Sequence, residues 1–102
     1  MFDMFGNIEE QQKAIREKLE LIEINHGSDD GKIKIRMNAN RRLLDISISP
    51  DLIAEGDAEQ IEDLLLIALN EASQQAEVKA EAEMRKQIND ILPGGLGSLF
   101  GQ

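Results

Sequence analysis

The stretch KIKIRMNANRRLLDISISP, Lys32 to Pro50, decides the fold. Ile33, Ile35 and Met37 alternate with Lys32, Lys34 and Arg36, the period of two expected of a half-buried strand. Asn38-Ala39-Asn40 supplies turn chemistry. Leu44, Ile46 and Ile48 then alternate with Leu43, Asp45, Ser47 and Ser49 until Pro50 ends the ladder. The two runs predict a β-hairpin with one apolar face and one polar face.

Upstream, HGSDDG (His26 to Gly31) is a turn-rich stretch, and Ile22 to His26 is compatible either with another strand or with a continuation of the preceding helix. That helix is predicted from Gly6 to about Ile24. Phe5, Ile8, Ile15, Leu19 and Ile22 recur at spacings of three, four and seven, with Gln12 in the remaining seam position. Asn7 is the expected N-cap, with Glu10 three residues on as its capping-box partner. So narrow an apolar stripe needs a partner helix.

Downstream, the period returns to 3.6 from Asp57. Ile61, Leu64, Leu65, Ala68, Leu69, Ala72, Ala76, Ala80, Met84 and Ile88 form one stripe that ends before Pro93-Gly94-Gly95. A helix of about 32 residues is roughly 48 Å long. A compact chain of this size has a radius of gyration near 13 Å, about 34 Å across. The helix should therefore overhang a monomer. The small side chains at i, i+4 spacing let another helix approach closely, so Ile61, Leu65, Ala68, Ala72, Ala76 and Ala80 are the expected homodimer interface. Residues 1–92 form the expected domain, and 93–102, PGGLGSLFGQ, a flexible Gly-rich tail.

Composition narrows the chemistry. The 102 residues carry no Cys, Trp or Tyr and three Phe, with a formal net charge of -9. Without Cys there is no disulfide framework, thiolate zinc site or thiol nucleophile. No apolar run approaches the roughly 20 residues of a membrane span, and the acidic opening MFDMFGNIEEQQ is unlike a secretory signal. The expectation is a soluble cytoplasmic protein. His26, the single histidine, sits beside Gly27 in turn-rich sequence and is expected to face solvent or stabilise the turn. The string GSDDGK falls one residue short of P-loop spacing and opens a strand where a helix is required. No metal spacing, dinucleotide fingerprint or nucleophile motif accompanies it. These absences point to a binding or structural protein, not an enzyme, with no cofactor expected.

Charge is segregated along the chain. Gly31 to Leu44 holds five cations, Lys32, Lys34, Arg36, Arg41 and Arg42, and no acid, whereas Asp51 to Asp63 holds Asp51, Glu55, Asp57, Glu59, Glu62 and Asp63 and no cation. Strand alternation puts Lys32, Lys34 and Arg36 on one face, opposite Ile33, Ile35 and Met37. The first helix adds Lys13, Arg16 and Lys18 off its seam. This basic hairpin would engage duplex phosphates, and about six such contacts give a log-log salt slope near -5. The scarcity of aromatics leaves no platform for stacking single-stranded bases. A protein-interaction adaptor or holdase-like dimer competes with this reading, on the strength of the Ala-ridged helix, the net acid and the apolar Leu96, Leu99 and Phe100.

Several strings, taken in order, resemble the YbaB/EbfC family of bacterial nucleoid-associated proteins: MFDMFG before a Gln- and Lys-containing helix, KIKIRMNANRRLLDISISPDLI, EGDAEQIEDLLLIALNEASQQAE, and MRKQINDILPGGLGSLF. The similarity spans essentially the whole chain. It implies an α+β fold, a small antiparallel three-stranded sheet flanked by an N-terminal helix and a long C-terminal helix, in an intertwined symmetric dimer with protruding helical arms. It further implies double-stranded DNA as partner with modest sequence preference, a nucleoid role in DNA organisation or gene regulation, no enzymatic activity, and a link to recombination and clamp-loader proteins. Carried onto this sequence, the family's DNA contacts fall on Lys13, Arg16 and Lys18 of the first helix and on Arg85 and Lys86 near the end of the last.

Overall fold

A computed structural model describes residues 4–91, with side chains described for residues 8–90. The element order is α1 (Met4–Glu20), β1 (Glu23–Gly27), β2 (Ile33–Asn38), β3 (Leu43–Ile48), α2 (Pro50–Ala54) and α3 (Ala58–Ile91). The tail expected at 93–102 and the side chain of Phe5 lie outside the described residues.

The predicted hairpin is β2 and β3, and Glu23–Gly27 adds a third strand, giving an antiparallel sheet of order β1-β2-β3. Register places Ile35 opposite both His26 and Ile46, and Ile33 opposite Ile48. The apolar residues of the three strands therefore share one face. A register shift after Arg36 sets Met37 against Leu43, so Leu44 is the extra residue of a bulge.

Local chemistry fixes the connections. In the β1–β2 turn the Ser28 hydroxyl donates to Asp30 Oδ1 (2.6 Å), which also accepts from the Lys32 N–H (3.0 Å), and Gly31 supplies a positive φ of 73°. These bonds, the Ser28 hydroxyl foremost and the Lys32 N–H next, hold the Asp30 carboxyl below its ordinary pKa. Ser49 caps α2 by accepting from the Asp51 N–H, with Pro50 at the helix start. Pro50 thus begins a short helix where the alternation alone marks only the end of a strand, and α2 seats Leu52 in the core. Asp57 caps α3 through the Gln60 N–H (3.1 Å).

Helix α1 is described from Met4, so Asn7 lies inside it and not at its cap. Only the C-terminal part of the predicted seam is well covered. Leu19 is buried and Ile15 half-buried, while Ile8 is exposed. The expected partner helix is α3, tied to α1 by Lys18 Nζ and Glu83 Oε2 at 3.2 Å.

The core corrects the expectation for the alanine ridge. Ala68, Ala72 and Ala76 are almost fully buried within the single chain, packed with Ile24, Ile33, Ile35, Met37 and Leu52. They approach the chain's own sheet, leaving no side-chain surface for a second protomer. Ile61 and Leu65 flank the same core half-buried, and Ala80 lies beyond it. Helix α3, 34 residues and so about 51 Å long, runs past this core. The overhang is real: the radius of gyration is 19.1 Å and the longest extent 64 Å, against about 13 Å for a compact chain.

Packing and turn can each be tested by one substitution. Ala72→Leu forces bulk between α3 and β2 and should cost about 1–3 kcal/mol, read as a lower urea midpoint at unchanged m-value; an unchanged midpoint would contradict the close helix–sheet approach. Because the Asp30 pKa is lowered in the fold, the turn's contribution is complete above the ordinary carboxylate range and is lost as pH falls through the lowered value. In Ser28→Ala the Asp30 titration followed by NMR should move up toward the ordinary value, and an unmoved midpoint would remove the hydroxyl as the main cause.

Candidate nucleic-acid interface

Sheet formation brings acids to the hairpin cations. Arg36 Nη1 lies 3.1 Å from Oε1 of Glu23, its diagonal neighbour on β1, and Asp45 is its register partner on β3. Lys32 Nζ lies 3.4 Å from Glu55 Oε1, at the end of α2. The basic ribbon expected from the acid-free run is thus interleaved with carboxylates from elsewhere in the chain. Lys34, opposite Gly27 and Ser47, keeps its charge unpaired on a shallow trough of the outer sheet face, lined also by Asn25, Arg36 and Asp45. These exposed pairs contribute little to stability, about 0–1 kcal/mol each. Their larger effect is to reduce the charge that face can offer to a polyanion.

Other cations are free of such pairing. Among the described residues, Lys13, Arg16, Lys34, Arg41, Arg42, Arg85 and Lys86 have no carboxylate within 4.0 Å, whereas Lys18 is held by Glu83. All seven are exposed. Lys79 joins them, and it is hidden in the sequence because Glu77 and Glu81 flank it and average the local charge away. The spacing of seven from Lys79 to Lys86 places both on one side of α3.

The structure does not gather the ten candidates into one patch. Lys32 lies beyond the opposite end of β2 from the turn that carries Arg41 and Arg42. That turn is instead joined to α1, since the Asn40 side chain donates from Nδ2 to the Arg16 carbonyl (2.9 Å). Arg16, Arg41 and Arg42 therefore share one corner of the molecule. Arg85 and Lys86 sit on α3 past the Lys18–Glu83 contact, away from the sheet.

His26 is neither in the turn nor facing solvent. It belongs to β1, its side chain is 14% exposed, and it faces α3: Nδ1 accepts from Gln75 Nε2 at 2.9 Å and Nε2 lies 3.0 Å from Glu71 Oε2. The Gln75 bond fastens the edge strand to the helix. Among the described residues no cluster of His, Asp and Glu is arranged to hold a metal ion, and no helix is long and apolar enough to cross a membrane. The arrangement offers exposed cations at separated points on an elongated body, which is chemistry for contacting phosphates.

Known proteins are similar to this chain along its length. A nucleoid-associated protein of Chloroflexus aurantiacus is 33% identical over 100 residues, covering 98% of this chain and 95% of the relative. Another from Rhodopseudomonas palustris is 34% identical over 98 residues, covering 95% and 92%. An uncharacterized protein of Helicobacter pylori, solved by crystallography, shares the fold with a TM-score of 0.65 at 20% identity, covering 78% of this chain and 93% of that one. The model of the YbaB/EbfC DNA-binding family matches residues 1–91. With sequence similarity along that whole length, and with a fold of three antiparallel strands and one long helix, the chain belongs to the YbaB/EbfC DNA-binding family.

Proposed function

We propose that this protein binds duplex DNA as a homodimer, through phosphate contacts with low sequence specificity, and that it acts in the nucleoid in DNA organisation and gene regulation. The observation that carries the reading is the set of exposed cations that, among the described residues, have no carboxylate partner, on a chain whose acids outnumber its bases 20 to 11. Had the cations served only to balance the acids, the abundant carboxylates would have taken them all. The relatives' designation as nucleoid-associated proteins agrees with this use. Phosphate contacts position a protein on DNA without reading bases, and no Trp or Tyr is present to stack on an unpaired strand.

Dimerisation draws on β3. Helix α3 packs on β1 and β2, so Leu43, Leu44 and Ile46 remain 42%, 41% and 37% exposed on an edge strand. A second copy covering this apolar edge removes it from water and doubles the number of phosphate-contacting cations. A second reading, a protein-interaction adaptor tied to recombination or clamp-loader machinery, draws on Leu66, Ile67 and Val78, all well exposed on α3.

A gel-shift titration on a random-sequence duplex should show binding at low salt that falls with a log-log slope of about -5 for roughly six phosphates. No shift at tens of micromolar protein would overturn the DNA reading, and a partner protein recovered in nuclease-resistant form would favour the adaptor. Light scattering should give twice the chain mass, and Ile46→Glu should return it to the monomer mass; a wild-type monomer at tens of micromolar would defeat the dimer.

A further inference from the structure

The β2–β3 turn carries an anomaly. Its loop, Ala39 to Arg41, is closed by the Arg41 N–H to the Asn38 carbonyl (2.9 Å) and by the Asn38 N–H to the Arg42 carbonyl (3.0 Å). Three-residue hairpin loops end in the left-handed region, the position where glycine is favoured. Here that position is Arg41, with φ of 65°, the single non-glycine residue at positive φ among those described. Its side chain is exposed and makes no hydrogen bond or ion pair within the described chain. The fold therefore gains nothing from an arginine there and tolerates strain to keep it.

The turn is also unusually well fastened. Asn38 is buried, 3% exposed, and its Oδ1 accepts from the N–H groups of Asn40 and Arg42, both at 3.0 Å. The buried Ala39 donates its N–H to two carbonyls, Leu19 at the end of α1 (3.1 Å) and Ile22 in the connection from α1 to β1 (3.0 Å). Asn40 Nδ2 adds the bond to the Arg16 carbonyl. The tip of the hairpin is thus bolted to the helix end. Of the five arginines in the chain, Arg41 and Arg42 lie on this turn and Arg16 is the residue whose carbonyl holds it. A guanidinium offers a planar fork of donors that matches phosphate oxygens, which a lysine ammonium does not.

We infer that this corner is the phosphate anchor of each protomer: Arg41 and Arg42, with Arg16 beside them, grip the backbone of duplex DNA on a pre-organised support. The inference rests on the DNA reading above and adds to it which cations bear the affinity. Bracing matters because ordering a contact loop on binding weakens the complex, and here the backbone is ordered beforehand. The cations of α3, on a helix segment away from the sheet, supply secondary contacts.

The test is fluorescence anisotropy of the full chain on a random-sequence duplex over a salt series, with thermal melts in parallel. Arg41→Gly relieves the strained φ, so its melting temperature should hold or rise. Its affinity should nevertheless fall about tenfold, as for removal of a charge-assisted bond, and its salt slope should be shallower by about 1 for each phosphate no longer engaged. Arg41→Lys should keep the slope and lose part of the affinity. Lys86→Gln should lose less than Arg41→Gly. If wild type binds with a steep salt slope and Arg41→Gly matches it, the anchor lies elsewhere and the DNA reading stands. An affinity loss in Arg41→Gly that tracks a fallen melting temperature also overturns the anchor, because the arginine would then be structural. If wild type itself does not bind, the DNA reading falls and takes the anchor with it.

Discussion

The close approach of α3 to the sheet is the constraint from which the rest of the architecture follows. Ala68, Ala72 and Ala76 recur every four residues and so present methyl groups along one line of the helix. A larger side chain anywhere on that line would lift the helix off Ile33 and Ile35. Burying each of those isoleucines is worth about 1.5–3 kcal/mol, and their full burial requires the helix to lie this near. A single helix so placed covers two strands and not three, because neighbouring strands are about 4.8 Å apart and a helix is roughly 10 Å wide. The uncovered strand is β3, and the uncovered length of helix is the segment beyond the sheet. The apolar edge and the overhanging arm are two consequences of one packing choice.

Much of this architecture was legible in the sequence because it is written in periods. The alternation at Ile33, Ile35 and Met37 marks a strand, and the long run from Ile61 to Ile88 marks a helix too long for a globule. What a period identifies is a face that will be buried, not the surface that will bury it. For that reason the alanine ridge reads in sequence as the seat of a second protomer, and only the contact with Ile24, Ile33 and Ile35 reveals the surface that buries Ala68, Ala72 and Ala76 as the chain's own sheet. Helix α2 escaped because it has five residues, too few to show a period, and its one signal is the cap Ser49-Pro50-Asp51. The place of His26 is hidden because turn chemistry beside it dominates the local sequence, whereas its neighbours Glu71 and Gln75 lie far along the chain.

The candidate site was legible as a set of residue types and not as a surface. Lys32, Lys34 and Arg36 form an acid-free run, yet two of the three meet carboxylates, from Glu55 and Glu23. Charge runs describe neighbours in sequence, while ion pairs form between neighbours in space. Arg41 and Arg42 stay free for a topological reason. They sit at the tip of a hairpin, the part of a sheet with the fewest flanking strands to contribute a carboxylate. The joining of this tip to α1 rests on backbone carbonyls at Leu19, Ile22 and Arg16, and such groups have no signature in the sequence at all.

The net charge of -9 then has a consequence for how such a protein meets DNA. Contacts between a guanidinium and a phosphate act over a few ångströms, whereas the repulsion between an acidic body and DNA acts over a Debye length, about 8 Å at physiological salt and about 30 Å at 0.01 M. Lowering the salt strengthens the contacts by making counterion release more favourable. It also lets the acids of α2 and of the start of α3 repel the duplex from farther away. A body 64 Å long offsets this by separating its charges in space: the arginine corner lies at one end of the sheet, and the acidic run from Asp51 to Asp63 begins beyond the opposite end of β3. An orientation that brings the corner to DNA carries those carboxylates away from it. On the reading proposed above, the acids of α2 and of the start of α3 would then disfavour approach by their own end of the molecule more than approach by the arginine corner.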